Sequence, residues 1–245
     1  MRRTYVFAKR CMKELLRDPL GIIFSVGLPL VLLFLMTAIR RSTGADIFLL
    51  EDFGPATAVF GQTFIAMFTG ILVAQDRGDA YLTRLFASPL TARDFILGYS
   101  LPLIPLSLVQ GVICLGASAI LGLPVNANLL LALLCLIPSA VLFIALGILL
   151  GCLLRETQVG GVASILVQVA AFTSGMWFDV ELIGGAFLGV SKALPFLHAV
   201  EAVRSAVAGE YSALLPAIGI VCAWAASFFA AAVWIFRRKM KSDRN

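Results

Sequence analysis

Strongly apolar, uncharged runs alternate with short charged pieces along this chain, and the runs fall at about 20–39, 55–74, 96–122, 129–154, 159–178 and 214–236. Each is long enough for a helix crossing a hydrocarbon core of roughly 30 Å, which takes about 20 residues. Barrel strands would be about 10 residues long and alternate in polarity, and these runs do neither. Backbone in lipid must satisfy its own hydrogen bonds, so the pattern predicts an all-α integral membrane fold with six transmembrane helices. Pro29, Pro102, Pro105 and Pro138 lie inside the runs and predict kinks, since each removes a backbone donor.

The polar pieces between the runs predict three further elements. Residues 3–17 read as an amphipathic helix, with Tyr5, Ala8, Cys11, Met12, Leu15 and Leu16 on one side. Arg3, Lys9, Arg10, Lys13, Glu14 and Arg17 gather on the other, and Val6 and Phe7 fit imperfectly. Such a helix suits the inner membrane surface and its lipids, and Asp18-Pro19 ends it and turns the chain into the bilayer. In the charged island QDRGDAYLTRLFASPLTARDF, residues 75–95, Asp79 to Phe86 can form two helical turns before the Ser88-Pro89 break. Thr91 can then cap a new helix. Residues 179–213 hold Asp179, Glu181, Lys192, Glu201, Arg204 and Glu210, too many charges for a lipid-exposed span. All of 1–245 reads as one membrane domain.

Composition agrees with the pattern. Hydrophobic residues make up 60% and charged residues 13%, with a mean hydropathy of +0.98, where soluble domains are nearer half apolar and a quarter charged. The net charge of +5 is a topology signal and not a nucleic-acid footprint. With both termini cytoplasmic, 15 of the 19 Lys and Arg residues fall on the cytoplasmic side, and Arg40, Arg41, Lys192 and Arg204 remain outside. The first run is too long for a signal-peptide core and is expected to stay as a mature helix. Five scattered cysteines lack metal-ligand spacing and read as small packing residues.

Two motifs sharpen the picture. Asp76-Arg77 opens the island, Leu82, Arg84, Leu85 and Phe86 form its Leu-rich turn, and Ser88-Pro89-Leu90 closes it. Toward the C-terminus, Leu194-Pro195 precedes His198, Glu201 and Arg204, which share a helix face at i, i+3 and i+6. In their order and spacing these resemble the permease subunit of type-2 ATP-binding-cassette exporters over essentially the full chain. Gly78, Asp79, Ala80 and Tyr81 depart from that family's Glu-Arg-Gly-Thr core.

The resemblance implies that 77–88 is a cytoplasmic coupling helix, and that it and the interfacial helix, through Arg10, Lys13, Glu14 and Arg17, dock onto a separate ATPase subunit. It also implies a second permease copy, homo- or heterodimeric, an exterior re-entrant hairpin over 179–213, and placement in the bacterial inner membrane. No cofactor is expected in this chain, because no G-x-x-x-x-G-K-[ST] motif occurs; ATP and Mg would bind the partner. Carried over to the second and fifth helices, the family's path would be lined by Gln62, Thr69, Gln168 and Phe172. Interhelical hydrogen bonding without substrate contact explains the same polar residues equally well. For Pro195, His198, Glu201 and Arg204 the choice is between an exit gate and a locally satisfied polar face, and the latter is the simpler account. An amphipathic or hydrophobic passenger fits a path without fixed charge, such as a drug-like molecule or a lipid-linked glycan. An ion-coupled carrier and a polytopic membrane enzyme are the alternatives. The first usually keeps ionisable groups at mid-membrane, and none lies within a run here.

Overall fold

The computed structural model describes residues 2–44, 48–78 and 92–242. Every regular element among them is a helix. α1 is Arg2–Leu16, α2 is Pro19–Thr43 and α3 is Leu50–Gly78. α4 is Ala92–Leu121, α5 is Ala127–Leu153 and α6 is Glu156–Thr173. A single turn at Val180–Ile183 then leads into α7 (Gly185–Ala193), α8 (Pro195–Ala208) and α9 (Tyr211–Ser242).

α2, α3, α4, α5 and α9 are long and apolar enough to cross a membrane. α7 and α8 meet that test only as a pair, bent by 78° where Leu194-Pro195 breaks the helix. The chain is therefore an all-α integral membrane protein with five to six candidate spans. The apolar run at 159–178, expected as the fifth span, yields α6, which ends at Thr173 before a turn at Gly175, where φ is +71°, and is not among the five helices that are by themselves long and apolar enough to cross. Within α2, Ile23–Gly27 forms a π-helical turn. Asp18 caps the start of that helix by accepting from the Gly21 amide at 3.1 Å, and Pro19 occupies the first turn, where a missing N–H costs nothing.

α3 and α5 form the centre of the bundle, and the other helices wrap them. Their contact depends on glycine. A Cβ at Gly147 would lie 2.4 Å from the Ala66 carbonyl oxygen, and one at Gly151 would lie 2.6 Å from that of Gly70. Gly147 and Gly151 are four apart and so face the same way, which lets two backbones touch where lipid supplies no hydrophobic drive. By contrast α2 and α9 are largely uncovered, with Phe24, Val31 and Leu35 of α2 and Leu215 and Trp234 of α9 exposed.

α1 lies against α4. Thr4, Phe7, Ala8, Cys11 and Leu15 face the bundle and are buried, whereas Tyr5, Val6 and Leu16 are exposed. The helix therefore has three faces: one on protein, one apolar and uncovered, one basic. The two-sided reading of residues 3–17 needs correcting on this point, because Phe7 is a central contact. Its ring sits edge-on to Tyr99 at 5.0 Å, stacked with Phe95 at 6.4 Å, and fills the space a Cβ at Gly98 would take, 2.0 Å from Phe7 Cδ1.

Candidate functional site

At the end of the bundle that carries both terminal helices, a buried carboxylate gathers three elements. Asp76 ends α3 and is only 4% exposed. Arg10 of α1 grips it in bidentate fashion, Nη1 donating to Oδ2 at 3.1 Å and Nη2 to Oδ1 at 2.7 Å. The buried Tyr99 hydroxyl of α4 donates to the same Oδ2. A charge so enclosed persists only when paired and hydrogen-bonded, and here both conditions are met.

Neighbouring contacts extend the clamp. Arg10 also pairs with Glu14 at 2.6 Å, one turn along α1, and Thr4 donates to Asp94 at the start of α4 at 2.6 Å. Burial pushes the Glu14 carboxyl above its ordinary value, with Arg10 opposing. The Cys11 thiol is pushed up to about 12, first by burial and then by the nearby Asp76 charge. Beside the clamp a polar cleft of about 520 Å³ opens between α1, α3 and α6, bordered by Glu14, Asp18, Gln75 and Glu156.

The next residue turns a different way. Arg77 Nη1 donates to the carbonyls of Gly151 and of Leu154, the latter at 3.2 Å, and so closes the C-terminus of α5 with a cation. Asp76 and Arg77 open the segment expected to couple to an ATPase subunit, and within this chain Asp76 bonds Arg10 and Tyr99 while Arg77 bonds the end of α5. Their position fixes the root of the polar segment. Lys13 and Arg17 are exposed on the open side of α1. Leu82, Arg84, Leu85, Phe86, Ser88 and Pro89 lie outside the described residues.

The residues expected along a path divide into two groups. Gln62 is enclosed between α3 and α5, donating to the Leu136 carbonyl at 3.1 Å and accepting from Ser139 at 2.7 Å. Thr69 is also buried and returns its hydroxyl to the Ile65 carbonyl at 2.6 Å. Gln168 and Phe172, with Gly161 and Ser164, lie on the uncovered face of α6. The structure thus does not bring the four together within one chain.

At the opposite end, Pro195 starts α8 and is buried. The His198 ring is held between two acceptors, Glu201 at 3.0 Å from Nδ1 and the Lys192 carbonyl at 2.9 Å from Nε2. Arg204 reaches the Gly175 carbonyl at 2.9 Å and the Asp52 carbonyl at 3.0 Å, which joins α8 to the turn after α6 and to the start of α3. No sequence signal pairs Arg204 with positions 29 and 152 residues away.

The description ABC-2 type transporter fits residues 2–208, most of the chain and every element of the clamp. The chain belongs to the ABC-2 type transporter family. It is thus the membrane-embedded permease subunit of an ABC-type transporter, a transport component whose family associates with an ABC ATPase subunit. No curated protein matches the chain at a significant level. Within this ABC-2 permease the clamp joins α1 to the root of the polar segment that follows α3.

Proposed function

We propose that this ABC-2 permease is the path-forming subunit of an ATP-driven exporter, working as a dimer with separate ATPase subunits that hold ATP and Mg. Both termini, α1 and residues 77–88 would lie on the cytoplasmic side of a bacterial inner membrane, the arrangement the distribution of Lys and Arg favours. The observation that carries this reading is the Arg10–Asp76–Tyr99 clamp. It makes α1, the end of α3 and the start of α4 one mechanical unit, so a push on the polar segment moves two spans together. ATP binding would close the ATPase pair, move that unit and shift the population toward an outward-open path.

The uncovered face of α6, with Gly161, Ser164, Gln168 and Phe172, supports a second permease copy with the path between the two. Gln62 and Thr69 would then hold α3 and α5 together behind that path. An amphipathic or hydrophobic passenger, a drug-like molecule or a lipid-linked glycan, suits a face with amide, hydroxyl and ring groups but no charge.

The test is reconstitution with a separate ATP-binding-cassette ATPase subunit that co-purifies with the chain. Leu85→Glu with Phe86→Glu is expected to abolish transport while the ATPase still hydrolyses ATP. Uphill transport by the chain alone, or unchanged transport by the double variant, would overturn the proposal.

A further inference from the structure

The end of the bundle opposite the clamp holds a cavity of about 590 Å³ that the transport reading leaves without a role. It lies between the start of α3, the turn after α6, the Val180–Ile183 turn and the α7–α8 bend. Its volume is within the range that takes a drug-sized ligand.

The walls are aromatic. Phe48, Trp177 and Phe178 line the cavity, with Phe53 behind them, 5.2 Å from the Phe48 ring and 6.1 Å from Trp177. Phe48 is held at φ +53°, a conformation bulky side chains rarely adopt.

The rim is acidic. Asp52, Asp179, Glu181 and Glu201 face Lys192 and Arg204, and Glu201 is paired with His198. Both cations are already engaged. Lys192 pairs with Glu181 at 3.1 Å, and Arg204 is spent on the carbonyls of Gly175 and Asp52. Glu181 and Asp52 nonetheless remain 68% and 59% exposed at their side chains, so their carboxylates keep open acceptor positions.

Ring faces carry negative electrostatic potential and draw cations, and the attraction grows as water is excluded. Aromatic walls beneath a carboxylate rim therefore select a ligand that is apolar and positive at once. We propose that this cavity is a binding site for an amphipathic organic cation, its charged centre over the Trp177 and Phe178 rings and its counter-charge supplied by Asp179 and Glu181. The proposal concerns binding to this chain and holds whether or not the same molecule is the passenger.

A pair of ions of like shape and opposite sign tests it. Binding of tetraphenylphosphonium and of tetraphenylborate is measured on the full chain in nanodiscs, above that of empty nanodiscs. Saturable binding of the phosphonium, tighter than that of the borate, is expected. Asp179→Asn with Glu181→Gln should weaken the phosphonium about tenfold, the effect of two unit charges near a surface, and should not weaken the borate. Asn caps a helical turn as well as Asp does, so Asp179→Asn alone preserves the turn at Val180 and should weaken the phosphonium about threefold. Equal binding of the two ions, or unchanged phosphonium binding by both variants, would overturn the proposal.

Discussion

Replacing Asp76 by Ala should release α1 from the bundle. The substitution removes two charge-assisted bonds to Arg10, at 3.1 and 2.7 Å, and leaves the buried Tyr99 hydroxyl without its acceptor. Breaking a fully buried pair costs about 3–5 kcal/mol. Arg10 is 31% exposed and keeps Glu14 as a partner, so the cost here falls to about 2–3 kcal/mol. That shifts the docking equilibrium about 30- to 150-fold.

Cys11 reports the shift. Buried when docked, with its pKa pushed up to about 12 by burial, it holds far less thiolate than a free thiol. Maleimide therefore reaches it through the undocked helix, and the labelling rate at neutral pH should rise by the same 30- to 150-fold. Cys222, the exposed cysteine among the five, is first replaced by Ala. The sign of the pH effect follows. The docked state holds the thiol proton more tightly, so docking weakens as pH climbs from 9.0 toward about 12. Arg10→Ala with Asp76→Ala should cost less than the two single changes added together. An unchanged labelling rate, or strict additivity, would refute the clamp as the element that docks α1.

Three further outcomes follow from the packing. Gly98→Ala places a methyl 2.0 Å from Phe7 Cδ1 and should destabilise α1 docking by about 1–3 kcal/mol, again read by Cys11 labelling. Gly151→Val drives Cβ to 2.6 Å from the Gly70 carbonyl oxygen, a backbone atom that cannot rotate away. A drop in thermal stability larger than that of Gly161→Ala, where nothing lies within 4 Å, is expected in detergent-based melting. Arg77→Ala leaves the last carbonyls of α5 without their cation and should cost about 1–2 kcal/mol, with partial rescue by Lys.

The six apolar runs and the proline and charge breaks between them were legible because hydrocarbon imposes one rule on every residue: satisfy the backbone internally and carry no charge. Local chemistry was legible too, as at Asp18-Pro19, which caps and starts α2. What a run of hydropathy does not encode is which side of a helix meets protein and which meets lipid, since lipid tails are as apolar as Leu. Gln62 and Thr69 therefore looked no different in sequence from Gln168, yet the first two are buried between α3 and α5 while the third is uncovered. Phe7 looked like a defect in a two-sided helix until Gly98 was seen to receive it. The clamp was hidden for another reason. Arg10 and Asp76 stand 66 residues apart, and only the crossing of α1 over the ends of α3 and α4 sets a half-buried guanidinium against a buried carboxylate. By itself the sequence determined that this is a helical membrane protein and roughly where its helices run. Only the tertiary structure decided which side chains those helices lend to one another, because that depends on the rotation and crossing of each helix, which apolar length leaves free.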